Sequence, residues 1–511
     1  MAADELSKGE QMPSLRRAVG IWGSFSWGYA CVGADIYMAL GLILAYAMGA
    51  APLALLITGI LYVLIGLIYT ELAASYPVAG GGQYYSLRGL GDFWGFVAGW
   101  AFLLDFTIDV SLFAYASAGY LNFFFPAFQK SKWIPIIEAL FLVLSMMIIN
   151  LRGIRESSRV NEIFSAIDMF NESLIIIIGF IFAFKPELFI QQITTEVPGL
   201  KQFFYSMTLA VVAFVGLETI SQAAEETIRP ASIIPRTSIS LTFVVLIYAL
   251  AFSTLGVGSL GWKPLAEHMS DPIAYLAKFL PLIGFVAGPF TAILGFTLLY
   301  ASANTGVMGY SRVTYSMSKL HLLPGWFSGT HPRYRTPYRT ILLFSAIVII
   351  QLVLAGLSKS AMETLADMYA FGALTAYTLV CISHLRLRIK DPYTPRPYKI
   401  PGNLKIKING SDIDFPVLGV IAVLGAFFYF VLVLWTHHLA RLYGSLWLLL
   451  GLIIYFLYRK KNNLPLLKSI ERDWINEQIR VLKEAGEVEN LEEYIKALEG
   501  RNASEGRNEG K

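Results

Sequence analysis

Six acidic residues stand out within long apolar stretches of this chain: Asp35, Asp105, Asp109, Asp168, Glu172 and Glu218. Asp105 and Asp109 are four apart, as are Asp168 and Glu172, so each pair shares one face of a helix. Two carboxylates held together in a dry setting do not both ionise comfortably. Either one is protonated or a cation sits between them. No lysine or arginine lies in the central part of the first ten apolar stretches. The counter-charge must therefore come from solution, as a proton, Na⁺ or a cationic group on a solute. Ser302, Asn304 and Thr305 add neutral oxygens that suit either Na⁺ or ordinary helix packing. Glycine accompanies carboxylate twice. Gly28, Gly33 and Gly41 surround Asp35, and Ala213-Phe214-Val215-Gly216-Leu217-Glu218-Thr219 joins Gly216 to Glu218. Such a pairing is tolerated where a helix unwinds beside a cavity. The freed N–H groups of a half-helix can hold a carboxylate, and its freed carbonyls a cation or an amine. The same glycines also serve close helix packing.

The elements that carry these residues follow from composition. Of the 511 residues 56% are hydrophobic and 15% charged, against about 25% charged in soluble domains. Of the 76 charged residues, 19 lie in the last 50 positions. This excludes a soluble globular enzyme, a disordered chain and a disulfide scaffold. Apolar runs predict twelve membrane spans, roughly 18–46, 52–75, 92–122, 133–150, 158–184, 203–222, 238–260, 283–312, 340–358, 362–385, 414–435 and 442–459, each near the ~20 residues needed to cross the hydrocarbon. The two glycine–carboxylate interruptions occupy corresponding places in spans 1 and 6, which points to two inverted five-helix repeats with a site at the midplane. With the N-terminus inside, 18 loop lysines and arginines fall on the cytoplasmic side and 8 on the other. That bias places both termini in the cytoplasm.

The chain then divides into a cytosolic tail (1–17), a ten-helix core (18–385, repeats 18–184 and 203–385), a cytosolic loop (386–413), two peripheral helices (414–459) and a charged cytosolic tail (460–511). In that last tail, Trp474, Ile475, Ile479 and Leu482, then Leu491, Tyr494, Ile495 and Leu498, recur at helical spacing. They predict two short amphipathic helices before a disordered end. The helices either pack beneath the membrane domain or dock a partner. Cys31 and Cys381 give no metal spacing and no disulfide framework. His384 is expected to be exposed at the start of a basic loop, and His437 and His438 to lie near the outer face without a partner cluster. No Walker sequence, Ser-His-Asp set or HExxH appears, so neither a hydrolase nor an ATP-driven pump is supported.

Several segments resemble the amino acid–polyamine–organocation superfamily. Tyr69-Thr70-Glu71-Leu72 followed by Pro77-Val78-Ala79-Gly80-Gly81-Gly82-Gln83-Tyr84-Tyr85 looks like the loop after its helix 2, and Gly99-Trp100 fits its helix 3. Phe214 to Glu218, Ala224-Glu225-Glu226-Thr227, Pro230 and Ile234-Pro235-Arg236 resemble helix 6 and its exit. Ser311-Arg312-Val313, Leu323-Pro324, Thr336-Pro337, Arg396-Pro397-Tyr398 and Pro401-Gly402 continue the match. The resemblance runs from about Val19 to Gly402. It implies an all-α membrane protein of about twelve transmembrane helices, a LeuT-type 5+5 inverted repeat with discontinuous helices 1 and 6, and secondary transport of amino acids or related amines by alternating access.

Two departures bear on the solute. Asp35 stands in Gly33-Ala34-Asp35-Ile36 where the family's second glycine would be. Asp168 stands where many proton-coupled members carry a lysine, so lysine-based coupling does not carry over. The expected solute site is Gly33, Ala34, Asp35, Ile36, Phe214, Val215, Gly216 and Leu217. A solute carboxylate would meet N–H groups near Gly33 and Ala34, and an amine the carbonyls from Phe214 to Leu217. Coupling to H⁺ or Na⁺ would use a subset of Asp168, Asp105, Asp109, Glu218, Ser302 and Thr305. No catalytic residue, metal centre or other cofactor is expected. The partners are a small solute and the lipid bilayer of the cytoplasmic membrane, with no nucleic acid. A polyamine or inorganic-cation carrier stands as the alternative on carboxylate count, and a transporter-like sensor as a distant one.

Overall fold

The computed structural model describes residues 17, 19–78, 80–153, 158–216, 218–222, 224, 226–408 and 411–508. It is mostly helical. The longer helices are α1 (Ile21–Val32), α2 (Asp35–Ala47), α3 (Ala51–Ser75), α4 (Gly81–Leu90), α5 (Asp92–Leu121), α6 (Ile134–Arg152), α7 (Ser158–Ile178) and α8 (Leu200–Ala210). There follow the short α9 (Glu218–Gln222), then α10 (Pro230–Ser259), α11 (Gly284–Lys319), α12 (Tyr338–Leu357) and α13 (Ala361–Lys390). A hairpin of β1 (Asn403–Ile408) and β2 (Ser411–Pro416) leads to α14 (Val417–Thr436), α15 (His438–Lys461), α16 (Trp474–Glu484) and α17 (Val488–Asn508).

Among the described residues, eleven helical stretches are long and apolar enough to cross a membrane. One of them, Ile21–Ser75, runs 55 residues through α1, α2 and α3 and covers the first two spans expected from sequence. Local chemistry explains several boundaries. Prolines open α3, α6 and α10, where their missing N–H costs nothing. Gly153 ends α6 in the left-handed region, which a residue without a Cβ adopts at no steric cost. Ser360 caps α13 by accepting from the Glu363 amide.

Burial sorts these helices. The most apolar windows of α5 and α13 are each 94% buried, against 28% for α6 and 22% for α15. The acidic faces of α5 therefore point into protein. The window containing α7 is only 28% buried, yet Asp168 and Glu172 are fully buried, so they occupy its one inward stripe.

Three features differ from expectation. The hairpin lies where an irregular loop was expected, pairing Leu404 with Phe415 and Ile406 with Ile413. α17 continues through Asn508, over residues whose polar composition suggested disorder. In the tail Ile475 and Ile495 face solvent, while Gln478, Val481, Leu482 and Tyr494 are buried. The tail docks on the face formed by α4 and the loop after α13. Gln478 accepts from Arg88 Nη1 at 2.7 Å and donates to the Ser75 carbonyl at 2.9 Å. Asp92 receives Arg459 at 2.7 Å, and also Arg472. Burial opposes the charge on Arg88, but Tyr84, Tyr76 and Asp391 together hold its guanidinium above the ordinary arginine range.

Candidate functional site

The sixth expected span is broken in the middle. After α8 the chain tightens into a 3₁₀ turn over Val211–Phe214, Val215 is extended, and Gly216 takes φ 122°. An L side chain rarely adopts that conformation, so glycine is required there. The Gly216 N–H donates to Tyr377 Oη at 3.1 Å, and its carbonyl accepts from Thr219 at 3.0 Å. Phe214 stacks on Tyr62 with centroids 4.8 Å apart. Leu217 lies outside the described residues.

The first span breaks less than its glycines suggest. Gly33 and Ala34 keep right-handed helical dihedrals between α1 and α2. The Gly33 N–H still reaches the Tyr29 carbonyl at 2.8 Å, and the Tyr37 N–H reaches Ala34 at 3.2 Å. The expected free N–H at Gly33 is thus occupied. Glycine permits unwinding, and here nothing forces it. Ile36 is buried beside the break.

Asp35, at the start of α2, is fully buried. It faces the Val215 backbone and lies close enough to Asp109, Glu218 and Asp105 to be repelled by all three. Four of the six carboxylates thus lie within electrostatic reach of one another, although among the described residues no three acidic, histidine or cysteine side chains are placed to hold a metal ion. Glu218 accepts from Tyr377 Oη at 2.7 Å, and Asp109 lies 3.4 Å from Tyr369 Oη. Neither oxygen of Asp35 nor of Asp105 has a hydrogen-bond partner among the described residues. Gly306 on α11 leaves room for Asp109, because a Cβ there would collide with its carboxylate. Ser302 and Thr305 sit on the same helix and reach α1, at the Cys31 carbonyl (3.4 Å) and Cys31 Sγ (3.7 Å). The Thr305 hydroxyl also donates to the Ser302 carbonyl at 2.7 Å. Asn304 turns away to Asn150.

Asp168 and Glu172 form a separate group. Tyr29 Oη lies 2.9 Å from Asp168 Oδ2 and 2.6 Å from Glu172 Oε2, and Tyr37 Oη lies 2.5 Å from Asp168 Oδ1. Tyr120 secures α2 by donating to the Tyr37 carbonyl at 2.7 Å. Three oxygen–oxygen contacts are served by two hydroxyl protons. A third proton, on one carboxyl, completes them.

Two histidines depart from the sequence reading. His384 is buried, its Nε2 3.1 Å from Glu71, in a network where Arg388 donates to Glu71 at 2.6 Å and the Ile400 amide at 2.9 Å. His437 is buried between Thr208 and Asp367. Their acidic partners lie 313 and 70 positions away in the chain, so no local pattern announced them. The tyrosines Tyr29, Tyr369 and Tyr377 were missed for another reason. With 27 tyrosines in the chain, only packing distinguishes those that meet a carboxylate.

A multi-pass helical membrane protein with a mid-span break opening on buried carboxylates is the class that geometry defines. The amino acid permease family model matches residues 23–458. The chain belongs to that family, within the superfamily its motifs resemble. It is 27% identical over 470 residues to the branched-chain amino acid permease BcaP of Bacillus subtilis, covering 88% of this chain and 94% of that one. It is 28% identical over 484 residues to the methylthioribose transporter of Bacillus subtilis, covering 90% and 97%. Similarity to cationic amino acid transporter 4 of Mus musculus is 28% over 413 residues, covering 76% and 62%. The family and these relatives are transporters.

Proposed function

We propose that this chain is a secondary active transporter that carries amino acids or related amines across the cytoplasmic membrane by alternating access. The observation that carries this reading is the break at Val215–Gly216, which turns the backbone of one span toward Asp35 on another. Family membership supports the same reading. A 55-residue stretch would run about 80 Å as one straight helix, far more than the ~30 Å hydrocarbon layer. Dividing Ile21–Ser75 at the 3₁₀ turn Met48–Ala50 gives two crossings, and so twelve spans in a LeuT-type 5+5 arrangement plus two. Both termini lie in the cytoplasm on this reading, in keeping with the excess of loop lysine and arginine on that side.

The coupling ion is H⁺, held by Asp168 and Glu172. The support is the hydrogen-bond count around Asp168 and Glu172, which has room for one carboxyl proton.

The test is uptake into proteoliposomes of labelled neutral and cationic amino acids and amines, with proton and Na⁺ gradients imposed separately. Accumulation driven by an inward proton gradient and indifferent to Na⁺ is expected. Accumulation that follows Na⁺ alone would overturn the coupling assignment. Binding without any flux would overturn the transport reading.

A further inference from the structure

A cavity of about 320 Å³ lies where the C-terminal tail meets the core. It shares no lining residue with the break or with the Asp168 group. Its volume falls at the lower end of ligand-sized pockets, roughly 300–1,000 Å³. The core supplies Arg88 from α4, and Lys390, Asp391 and Tyr393 from the end of α13 and the loop after it. The tail supplies Trp474 from α16 and Tyr494 from α17.

The charges in this wall are not equally matched. Asp391 is the one carboxylate in it among the described residues. It accepts from Arg88 Nη2 at 2.7 Å and from the Tyr76 hydroxyl at 3.2 Å. Arg88 also donates from Nη1 to Gln478 at 2.7 Å, so its guanidinium is well partnered. Lys390 is not. Its ammonium carries three N–H donors, and among the described residues its hydrogen bond is to the Arg88 carbonyl, at 2.7 Å. A carbonyl supplies no counter-charge. One cation at the cavity wall is therefore left for an anion from solution.

The rest of the wall is flat and aromatic. Trp474 meets Tyr84 edge-on at 5.9 Å, and its ring centre lies 5.5 Å from the Arg88 guanidinium carbon. The indole is thus fixed at the seam between tail and core. With Tyr393 and Tyr494 it gives the cavity aromatic surface from both sides of that seam, and ring faces favour a planar occupant. The tail side of the cavity stands in water, since Glu492, Glu493, Lys496 and Glu499 around Tyr494 are exposed. That favours a soluble occupant over a lipid.

We propose that this cavity is a binding site for a small soluble anion carrying a planar ring, with its carboxylate or phosphate on Lys390 and its ring against Trp474. Because tail and core both line the site, an occupant favours the docked tail by mass action. The docked tail also holds the ends of two core helices. Glu487 accepts from the Ala231 amide at the start of α10 at 2.9 Å, and Arg472 donates to the Leu320 carbonyl after α11 at 2.9 Å. Occupancy of the cavity therefore bears on the core from its tail side, whatever solute the core carries.

The probes are AMP and indole-3-acetate, each beside its two halves: adenosine and inorganic phosphate, indole and acetate. Each is titrated into purified full-length protein in detergent, and Tm is read. At least one whole probe is expected to bind saturably and at least tenfold tighter than either of its halves. Lys390→Gln keeps an N–H for the Arg88 carbonyl and drops the charge, so it should weaken that binding more than tenfold. Lys390→Arg should restore most of it, and Lys405→Gln, at an exposed lysine of the hairpin, should leave it unchanged. A second readout on the unmodified chain reports the place. Lys496 lies between Tyr494 and Leu498, which both line the cavity. Trypsin cleavage after Lys496 requires α17 to open, so a probe at ten times its Kd should slow that cut about tenfold. No saturable binding by either probe, equal binding by one of the halves, or an affinity untouched by Lys390→Gln overturns the proposal. So does an unchanged cut after Lys496 with the probe bound.

Discussion

Replacing Asp168 with asparagine should uncouple this protein without unfolding it, and the geometry says why. The Tyr37 hydroxyl can still donate to the asparagine oxygen. The side-chain N–H₂ takes the place of a carboxyl proton and donates to Tyr29 Oη, whose own proton goes to Glu172. All three contacts survive, so stability should change by no more than about 1 kcal/mol, the scale of one neutral hydrogen bond. What disappears is the exchangeable proton. One proton per cycle sets the driving force: each pH unit is worth about 1.4 kcal/mol, or about tenfold in accumulation. The assay is uptake into proteoliposomes with the interior one pH unit more alkaline and the membrane potential clamped at zero. Wild type should approach about tenfold accumulation, the limit for one proton at that gradient. Asp168→Asn should stop at equilibration, yet still exchange internal for external solute. A variant that accumulates like wild type would refute the assignment. A wild-type plateau near a hundredfold would refute the count of one proton, because it requires two.

Two further perturbations test the frame around the site. Gly216→Ala would put a Cβ 2.8 Å from Val32 Cγ2 and 2.9 Å from Cys31 Sγ at a φ of 122°. Backbone strain of about 1–3 kcal/mol and crowding of a similar size should lower Tm and abolish uptake, whereas Gly199→Ala, which meets nothing within 4 Å, should change neither. An unaltered Tm for Gly216→Ala would mean that the break is not held in this conformation. Asp92→Asn weakens the buried partner of Arg459 and Arg472, and a cost of about 3–5 kcal/mol is expected for a broken buried pair. Limited proteolysis should then cut the tail between α15 and α16 faster than in wild type, and an unchanged cleavage rate would show that other contacts hold the tail.

The membrane class and the acidic residues are legible because hydrophobicity is local: a run of apolar residues is a span whatever packs against it. Gly216 is legible in part, because glycine beside a glutamate in mid-span is costly in an intact lipid-facing helix. Gly33 shows the limit of that logic. It sits beside Asp35 in a similar pattern, yet its φ of −65° is open to any residue. What demands glycine there is closeness, since a Cβ would fall against the Tyr29 ring and carbonyl. The basic loop after His384 suggests exposure, while the deciding neighbour, Glu71, is brought in by α3. The hairpin is hidden in the sequence because Lys405 and Lys407 alternate with Leu404, Ile406 and Ile408 over too few residues to stand out from a charged loop.

Which carboxylates act together is the part that sequence spacing could not supply. Helical spacing pairs Asp105 with Asp109 and Asp168 with Glu172, and both pairs are real. It says nothing of Asp35 and Glu218 joining the first pair rather than the second. Packing decides this, and it does so through one segment. Tyr29 and Tyr37 reach outward from α1 and α2 to Asp168 and Glu172 on α7, while Asp35, two residues before Tyr37, turns to Val215 and the other acids. The two groups differ in how they are satisfied. One is closed by tyrosine hydroxyls, and the other is left with unpaired oxygens. Because the same short piece of backbone holds Asp35 to one and Tyr37 to the other, a shift of α2 that follows ligand at Asp35 also lengthens or shortens the Tyr37–Asp168 contact. On the proposed reading of a proton site at α7 and a solute site at the break, proton affinity and occupancy would be linked through a covalent lever of two residues, and such linkage must be reciprocal.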